Sequence, residues 1–283
     1  MLIPGYDGSL MNGLLTNPRF VNDIDNPSPN ILGLISAAYP LGGIVGIFPA
    51  PWVADKFGRR IAVMCGALFI IIGGLVQTFT TGGMKLLGGR ILVGVGSSFQ
   101  GIGAPSWLAE VSHPRNRAQT AALINTCWYI GSIIAAWTVF GALDISGSWS
   151  WRLCCLIQIV PCIVQLGLLY FTEESPRWLI GKGKEAEALR ILAKYHANGD
   201  ENDELVQFEF TEIKEAIAFE RAATAGVTLM SFTKTKGNKH RLLILIVSQH
   251  PVATDNSSSV STPNGSATVS FRTISALSSP RWA

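Results

Sequence analysis

Charge along this chain is confined to short clusters that punctuate long runs without a single Asp, Glu, Lys or Arg. Pro27 to Ala54, Ile61 to Met84, Ile91 to Ala109, Ala118 to Leu143 and Leu153 to Thr172 are all of this kind. The hydrocarbon core of a bilayer is roughly 30 Å thick and an α-helix rises about 1.5 Å per residue, so about 20 apolar residues cross it. Each run therefore predicts a transmembrane helix. Core helices of a soluble all-α protein would instead be amphipathic, which these runs are not. Met1 to Leu15 is also apolar but would cover only about 22 Å, and reads as a shortened first span. It lacks a basic n-region and contains Asp7, so it does not read as a cleavable signal.

The charged clusters set the orientation. Lys56, Arg59 and Arg60 fill one loop, Arg115 and Arg117 another, and Arg177, Lys182 and Lys184 follow the last full span, whereas the alternate loops hold Arg19, Lys85 and Arg152 singly. Basic residues are retained in the cytoplasm, which places the three rich clusters there. The expected bundle occupies residues 1–179, with spans over about 2–15, 31–53, 61–80, 86–109, 119–143 and 153–172. From 180 to 225 the pattern turns helical and amphipathic, with Val206, Phe210, Ile213 and Ile217 on one stripe, and predicts a cytoplasmic helical linker. Residues 226–249 read as a basic segment (Lys234, Lys236, Lys239, Arg241) and an aborted seventh span. Residues 250–283, opening at Pro251 and rich in Ser, Thr and Asn, read as a disordered tail, in which two glycosylation-type triplets at Asn256 and Asn264 would be silent.

Composition narrows the function classes. Charged residues make up 14% of the chain against about 25% in soluble proteins, and the mean hydropathy is +0.33. A net charge of +3, with its basic residues at span ends, does not suggest a nucleic-acid partner. The five cysteines (Cys65, Cys127, Cys154, Cys155 and Cys162) all lie in apolar runs without metal-ligand or disulfide-framework spacing, and read as small hydrophobes. No cofactor is implied, and no His/Cys/Asp cluster or nucleophile constellation on the spans suggests an enzyme. Gly42-Gly-x-x-Gly46 and Gly73-Gly74 predict close helix packing rather than phosphate binding, since no strand precedes them.

Five motifs in order then resemble the sugar porters of the major facilitator superfamily. They are Gly5-Tyr-Asp-Gly8, Asp55-Lys-Phe-Gly-Arg-Arg60, Gly89-Arg90 with Gly94 and Gly96, Pro105-Ser-Trp-Leu-Ala-Glu110 with Arg117, and Glu174-Ser-Pro-Arg-Trp-Leu179. Asn125-Thr-Cys-Trp-Tyr-Ile-Gly131 with Ala135-Ala-Trp137 is most similar to the fungal lactose-permease and cellodextrin-transporter branch. Pro51, Trp107 and Ala118 depart from the family pattern, and Asn125 stands where many members carry Gln. The resemblance implies an all-α membrane protein: the N-terminal six-helix bundle of the fold, its first helix truncated, followed by cytoplasmic amphipathic helices. The second bundle of such a fold is not represented, so the partners implied are a sugar, a proton, the lipid bilayer and a missing C-terminal half or another chain.

The same resemblance assigns roles. Asp7 and Arg90 would couple sugar movement to a proton, because protonating an Asp that faces an Arg releases the pair and biases the two states of a transporter. The alternative is an Asp7 solvated at a frayed chain start. Asp55, Arg59, Arg60, Glu110, Arg117, Glu174 and Arg177 would form a salt-bridge lattice that closes a cytoplasmic gate. Simple charge anchoring explains the basic members but not the acids. Asn125 would hydrogen-bond sugar or serve as an interhelical contact, and Trp128 would stack on a sugar ring, a role Trp137 fills less well than lipid-facing packing. The expected function is proton-coupled symport of a hexose or disaccharide across the plasma membrane. The competing reading is a non-transporting membrane fragment that pairs with, interferes with or senses through another chain.

Overall fold

The computed structural model describes residues 1–24, 27–80, 82–224 and 237. Apart from Gly237, the basic segment and aborted span expected over 226–249 and the tail over 250–283 lie outside the described residues. The described elements are helical: α1 Leu2–Leu15, α2 Pro18–Asp23, α3 Pro29–Ile47, α4 Pro49–Phe57, α5 Arg59–Phe79, α6 Gly83–Val111, α7 Arg117–Ala142, α8 Trp149–Ile157, α9 Ile159–Phe171, α10 Pro176–Gly181, α11 Glu185–His196 and α12 Glu204–Thr224. Met1–Ala218 forms one compact unit; of the second, Phe219–Ala283, the described part is the end of α12 and Gly237.

Four stretches, Pro29–Ile47, Arg59–Phe79, Pro114–Ala142 and Trp149–Phe171, are long and apolar enough to cross a bilayer. Helix α6 has 29 residues, a length of about 43 Å, but Lys85, Arg90, Glu110 and its many glycines dilute its apolar character. The apolar side chains that point outward, such as Phe48 at 78% exposure and Phe171 at 84%, are the surface that lipid would cover.

Two expected spans are not continuous. The helix expected over 31–53 stops at Ile47 and restarts at Pro49, because a proline has no N–H to donate to the preceding turn and prefers a helix's first position. Its second piece then carries Asp55, Lys56 and Phe57, so the turn itself shrinks to Gly58. The helix expected over 153–172 begins four residues earlier, at Trp149, and breaks at Gln158 ahead of Pro161. The start moves because Arg152 does not end the helix: its guanidinium lies 5.4 Å from the Trp151 ring, whose indole is buried.

Helix α6 is the centre of the bundle, with α3 and α5 packed along it, while α1 packs on α7. The seams are lined by glycines. A Cβ at Gly42 would collide with the Ile91 carbonyl oxygen and one at Gly94 with that of Tyr39, so these two backbones touch directly. Gly5 and Gly131 play the same part between α1 and α7, facing the carbonyls of Trp128 and Leu2. The main core lies between α1, α2, α7 and α8, around Tyr6, Leu10, Phe20, Trp151, Cys154 and Cys155. The expected α12 stripe is real: Val206 is buried, and Phe210, Ile213 and Ile217 pack on Leu179, Ile180, Ile191 and Leu192 of α10 and α11.

Candidate functional site

The bundle carries a polar interior, an open cavity and a charge cluster at one end. In the interior, Asp7 on α1 and Arg90 on α6 are 1% and 2% exposed. They lie within electrostatic range of one another. They do not form a direct ion pair: both carboxylate oxygens of Asp7 and Nη2 of Arg90 lack a hydrogen-bond partner among the described residues. Gln77 Nε2 and both amide atoms of Gln158 are likewise buried and unpartnered. Burying unsatisfied groups is costly, so such a concentration on α1, α5, α6 and the α8–α9 joint sets this polar interior apart from the apolar core.

A cavity of about 620 Å³ opens between α1, α3, α6 and α7, with Tyr39, Ser97, Ser98, Asn125, Trp128 and Tyr129 on its wall. Asn125 and Trp128 therefore share one cavity. Sequence reasoning missed Tyr39 and Ser97, whose hydroxyls hydrogen-bond across α3 and α6 at 2.7 Å. Their only sequence signal was a hydroxyl inside an otherwise apolar run. Trp137 lies on the outside, 70% exposed.

The charge cluster sits at the Gly58 turn. Arg59 Nη1 is 3.2 Å from Asp55 and its Nε 3.1 Å from Glu110 at the end of α6. Glu174, which follows α9, accepts the backbone N–H of Arg60 at 3.1 and 3.2 Å through its two oxygens, and that of Ser175 at 3.0 Å. It thereby caps a helix whose own N-cap, Gly58, has no side chain to do so. Arg60 Nη2 donates to the Tyr170 carbonyl at the C-terminal end of α9, 3.0 Å away, where the helix dipole favours a cation. Two unforeseen residues complete the cluster: Ser175 donates its hydroxyl to Glu110, and Trp178 donates its indole N–H to the Asp55 carbonyl at 3.0 Å. Arg117 and Arg177 line an adjacent cavity of about 350 Å³ with Glu110, His196 and Glu209. Just outside, Lys194 donates to Glu173 at 2.7 Å, and that hydrogen bond raises the ammonium's pKa above its ordinary value. Asp55, Arg59, Arg60, Glu110 and Glu174 are thus brought into one bonded set that joins α4, α5, α6 and the α9–α10 junction.

The chain is 31% identical over 240 residues to the MFS-type transporter criB of Aspergillus cristatus, covering 85% of this chain and 51% of the relative. It is 30% identical over 223 residues to the high-affinity glucose transporter of Kluyveromyces lactis, covering 78% and 40%. The chain spans about half the length of the curated relatives it matches. Among solved structures, the partially occluded, inward-open xylose transporter XylE from E. coli superposes with a TM-score of 0.69 at 23% identity, over 79% of this chain and 58% of that one, which shows a common fold. With its residues 1–251 matched by the family model for the sugar (and other) transporters, the chain is a multi-pass membrane protein that belongs to that family.

Proposed function

We propose that this chain forms one six-span half of a proton-coupled sugar symporter of the plasma membrane, carrying a hexose or disaccharide. The observation that carries the reading is the burial of Asp7 and Arg90 inside a bundle whose cavity wall holds Asn125 and Trp128. An ionisable pair at that depth is expensive to keep and serves proton movement in transport proteins. The relatives named above are transporters, one of them of glucose, and a solved neighbour is described as a proton:xylose symporter. In this reading Asp7 takes the proton, Arg90 responds to the lost charge, and Asn125 and Trp128 provide part of the sugar wall. The Asp55, Arg59, Arg60, Glu110, Arg117, Glu174 and Arg177 cluster faces the cytoplasm and holds the inner ends of the spans together when the gate is closed.

Alternating access in this fold uses two bundles rocking about a central site. A second reading is a non-transporting membrane chain that pairs with, interferes with or senses through another chain, in which case even a joined protein transports nothing. Uptake by proteoliposomes separates these. The chain alone is expected to give no saturable sugar uptake. Joined to the second half of the Kluyveromyces lactis glucose transporter, it is expected to give uptake driven by a proton gradient, and Asp7→Asn should leave exchange while abolishing accumulation. Accumulation surviving Asp7→Asn would refute the coupling role. Saturable uptake by the chain alone would refute the half-transporter reading.

A further inference from the structure

The side chain of His196, the last residue of α11, is 4% exposed and bonded on both ring nitrogens. Its Nδ1 lies 2.5 Å from Oε2 of Glu209 on α12, and its Nε2 lies 3.3 Å from the carbonyl oxygen of Val111, the last residue of α6. A carbonyl oxygen can only accept, so Nε2 carries a proton and donates it to Val111. A neutral imidazole with its proton on Nε2 would point the Nδ1 lone pair at a carboxylate oxygen, which is repulsive. The arrangement therefore requires one more proton, either on Nδ1 or on Glu209, shared along the 2.5 Å contact. The surroundings agree. The other oxygen of Glu209 is buried without a hydrogen-bond partner among the described residues. The ring of His113 lies 5.1 Å away in edge contact, and its Nδ1 accepts the N–H of Arg115 at 3.2 Å. The charged groups facing the same cavity are Glu110 from α6, Arg117 from α7, Arg177 from α10 and Glu212 from α12, acids and bases that offset one another.

We propose that His196 and Glu209 form a proton-dependent latch that docks the linker helices α11 and α12 onto the end of α6. With the extra proton bound, both contacts hold. Once it leaves, the imidazole has a single N–H for two acceptors. The carboxylate is the stronger acceptor, so the proton stays on Nδ1, the Nε2 lone pair turns toward the Val111 carbonyl, and the docking contact fails. The pairing of α11 with α12 survives, because His196–Glu209 and the packing of Val206, Phe210 and Ile213 remain. His196 is thus a positioning residue: it sets where the linker sits against the helix that carries Arg90 and Glu110. The inference does not depend on what the bundle carries.

Spin labels at Ala118→Cys on α7 and Phe208→Cys on α12, with the half-buried Cys65 and Cys127 replaced by alanine, report docking of the full chain in nanodiscs. Between about pH 6 and about pH 8.5 the interlabel distance is expected to shift from one narrow population to a longer, broader one. One proton changes the docked-to-undocked ratio at most about tenfold per pH unit. Glu209→Gln gives the opposite signature: a glutamine amide donates to Nδ1 while Nε2–H keeps Val111, so docking is expected to persist at the higher pH. His196→Phe should be undocked at both. A wild-type distance that does not change with pH, or a Glu209→Gln chain that remains pH-sensitive, overturns the latch. A purely structural role for His196 would leave both pH profiles flat.

Discussion

Gly58 and Glu174 are 116 positions apart in the chain yet act as a single cap. Gly58 has φ of +113°, a backbone conformation that side-chain-bearing residues avoid, and a Cβ built there would collide with Oε2 of Glu174. The missing side chain is what lets a remote carboxylate reach the first turn of α5. Gly58→Ala should therefore destabilise the bundle by about 1–3 kcal/mol, through backbone strain and displacement of the cap. Glu174→Ala, which removes only the cap, should cost about 0.5–2 kcal/mol. The two losses overlap, so Gly58→Ala in a Glu174→Ala background should cost less than it does alone. Thermal unfolding of the four proteins in detergent measures this coupling, and strictly additive losses would show that the carboxylate does not need the space at residue 58.

At the scale of helices, small residues decide which elements touch. Gly94 and Gly42 let the α3 and α6 backbones meet, whereas Gly88, on the same helix as Gly94, has nothing within 4 Å of a built Cβ. Packing and not hydrophobicity drives helix association in a bilayer, so the two positions should respond oppositely. Gly94→Leu is expected to separate α3 from α6 and to abolish folded yield. Gly88→Ala should be neutral or raise stability by about 0.5–1 kcal/mol, the ordinary gain for leaving glycine in a helix. Size-exclusion profiles and melting temperatures compare them directly. A well-folded Gly94→Leu protein would mean that the seam is not close-packed. The helix breaks follow local chemistry as well: Pro49 has a plain reason to start a new helix, while the joint at Gln158 adds two unpartnered amide atoms to the interior.

For the whole molecule, the charge cluster and the linker helices belong to one end of the bundle. Trp178 of α10 bonds the Asp55 carbonyl, and His196 of α11 bonds that of Val111. Lys56→Cys and Glu187→Cys should therefore be labelled by an impermeant thiol reagent from the same side of the membrane, and positive-inside retention makes that side cytoplasmic. Labelling from opposite sides would break the proposed topology.

The spans, the basic turns between them and the amphipathic period of α11 and α12 are written locally. Charge-free length, loop charge and the spacing of apolar residues can be counted without knowing what touches what, so the sequence alone determined that this is a multi-helix membrane protein. The family motifs likewise named Asp55, Arg59, Arg60, Glu110 and Glu174, which the fold joins into one cluster. What each of these residues bonds was not legible. Nothing local to Glu174 says that it caps α5, nothing near Ser175 says that it serves Glu110, and nothing in the surroundings of His196 foretells a carbonyl 85 positions away. The meeting of Tyr39 with Ser97 was hidden for the same reason. A helix's existence depends on its own residues, but a capped terminus, a buried orphan or a cavity wall exists only once separate helices pack. Only the tertiary structure decided those, because their energies come from pairs of groups that the chain keeps far apart.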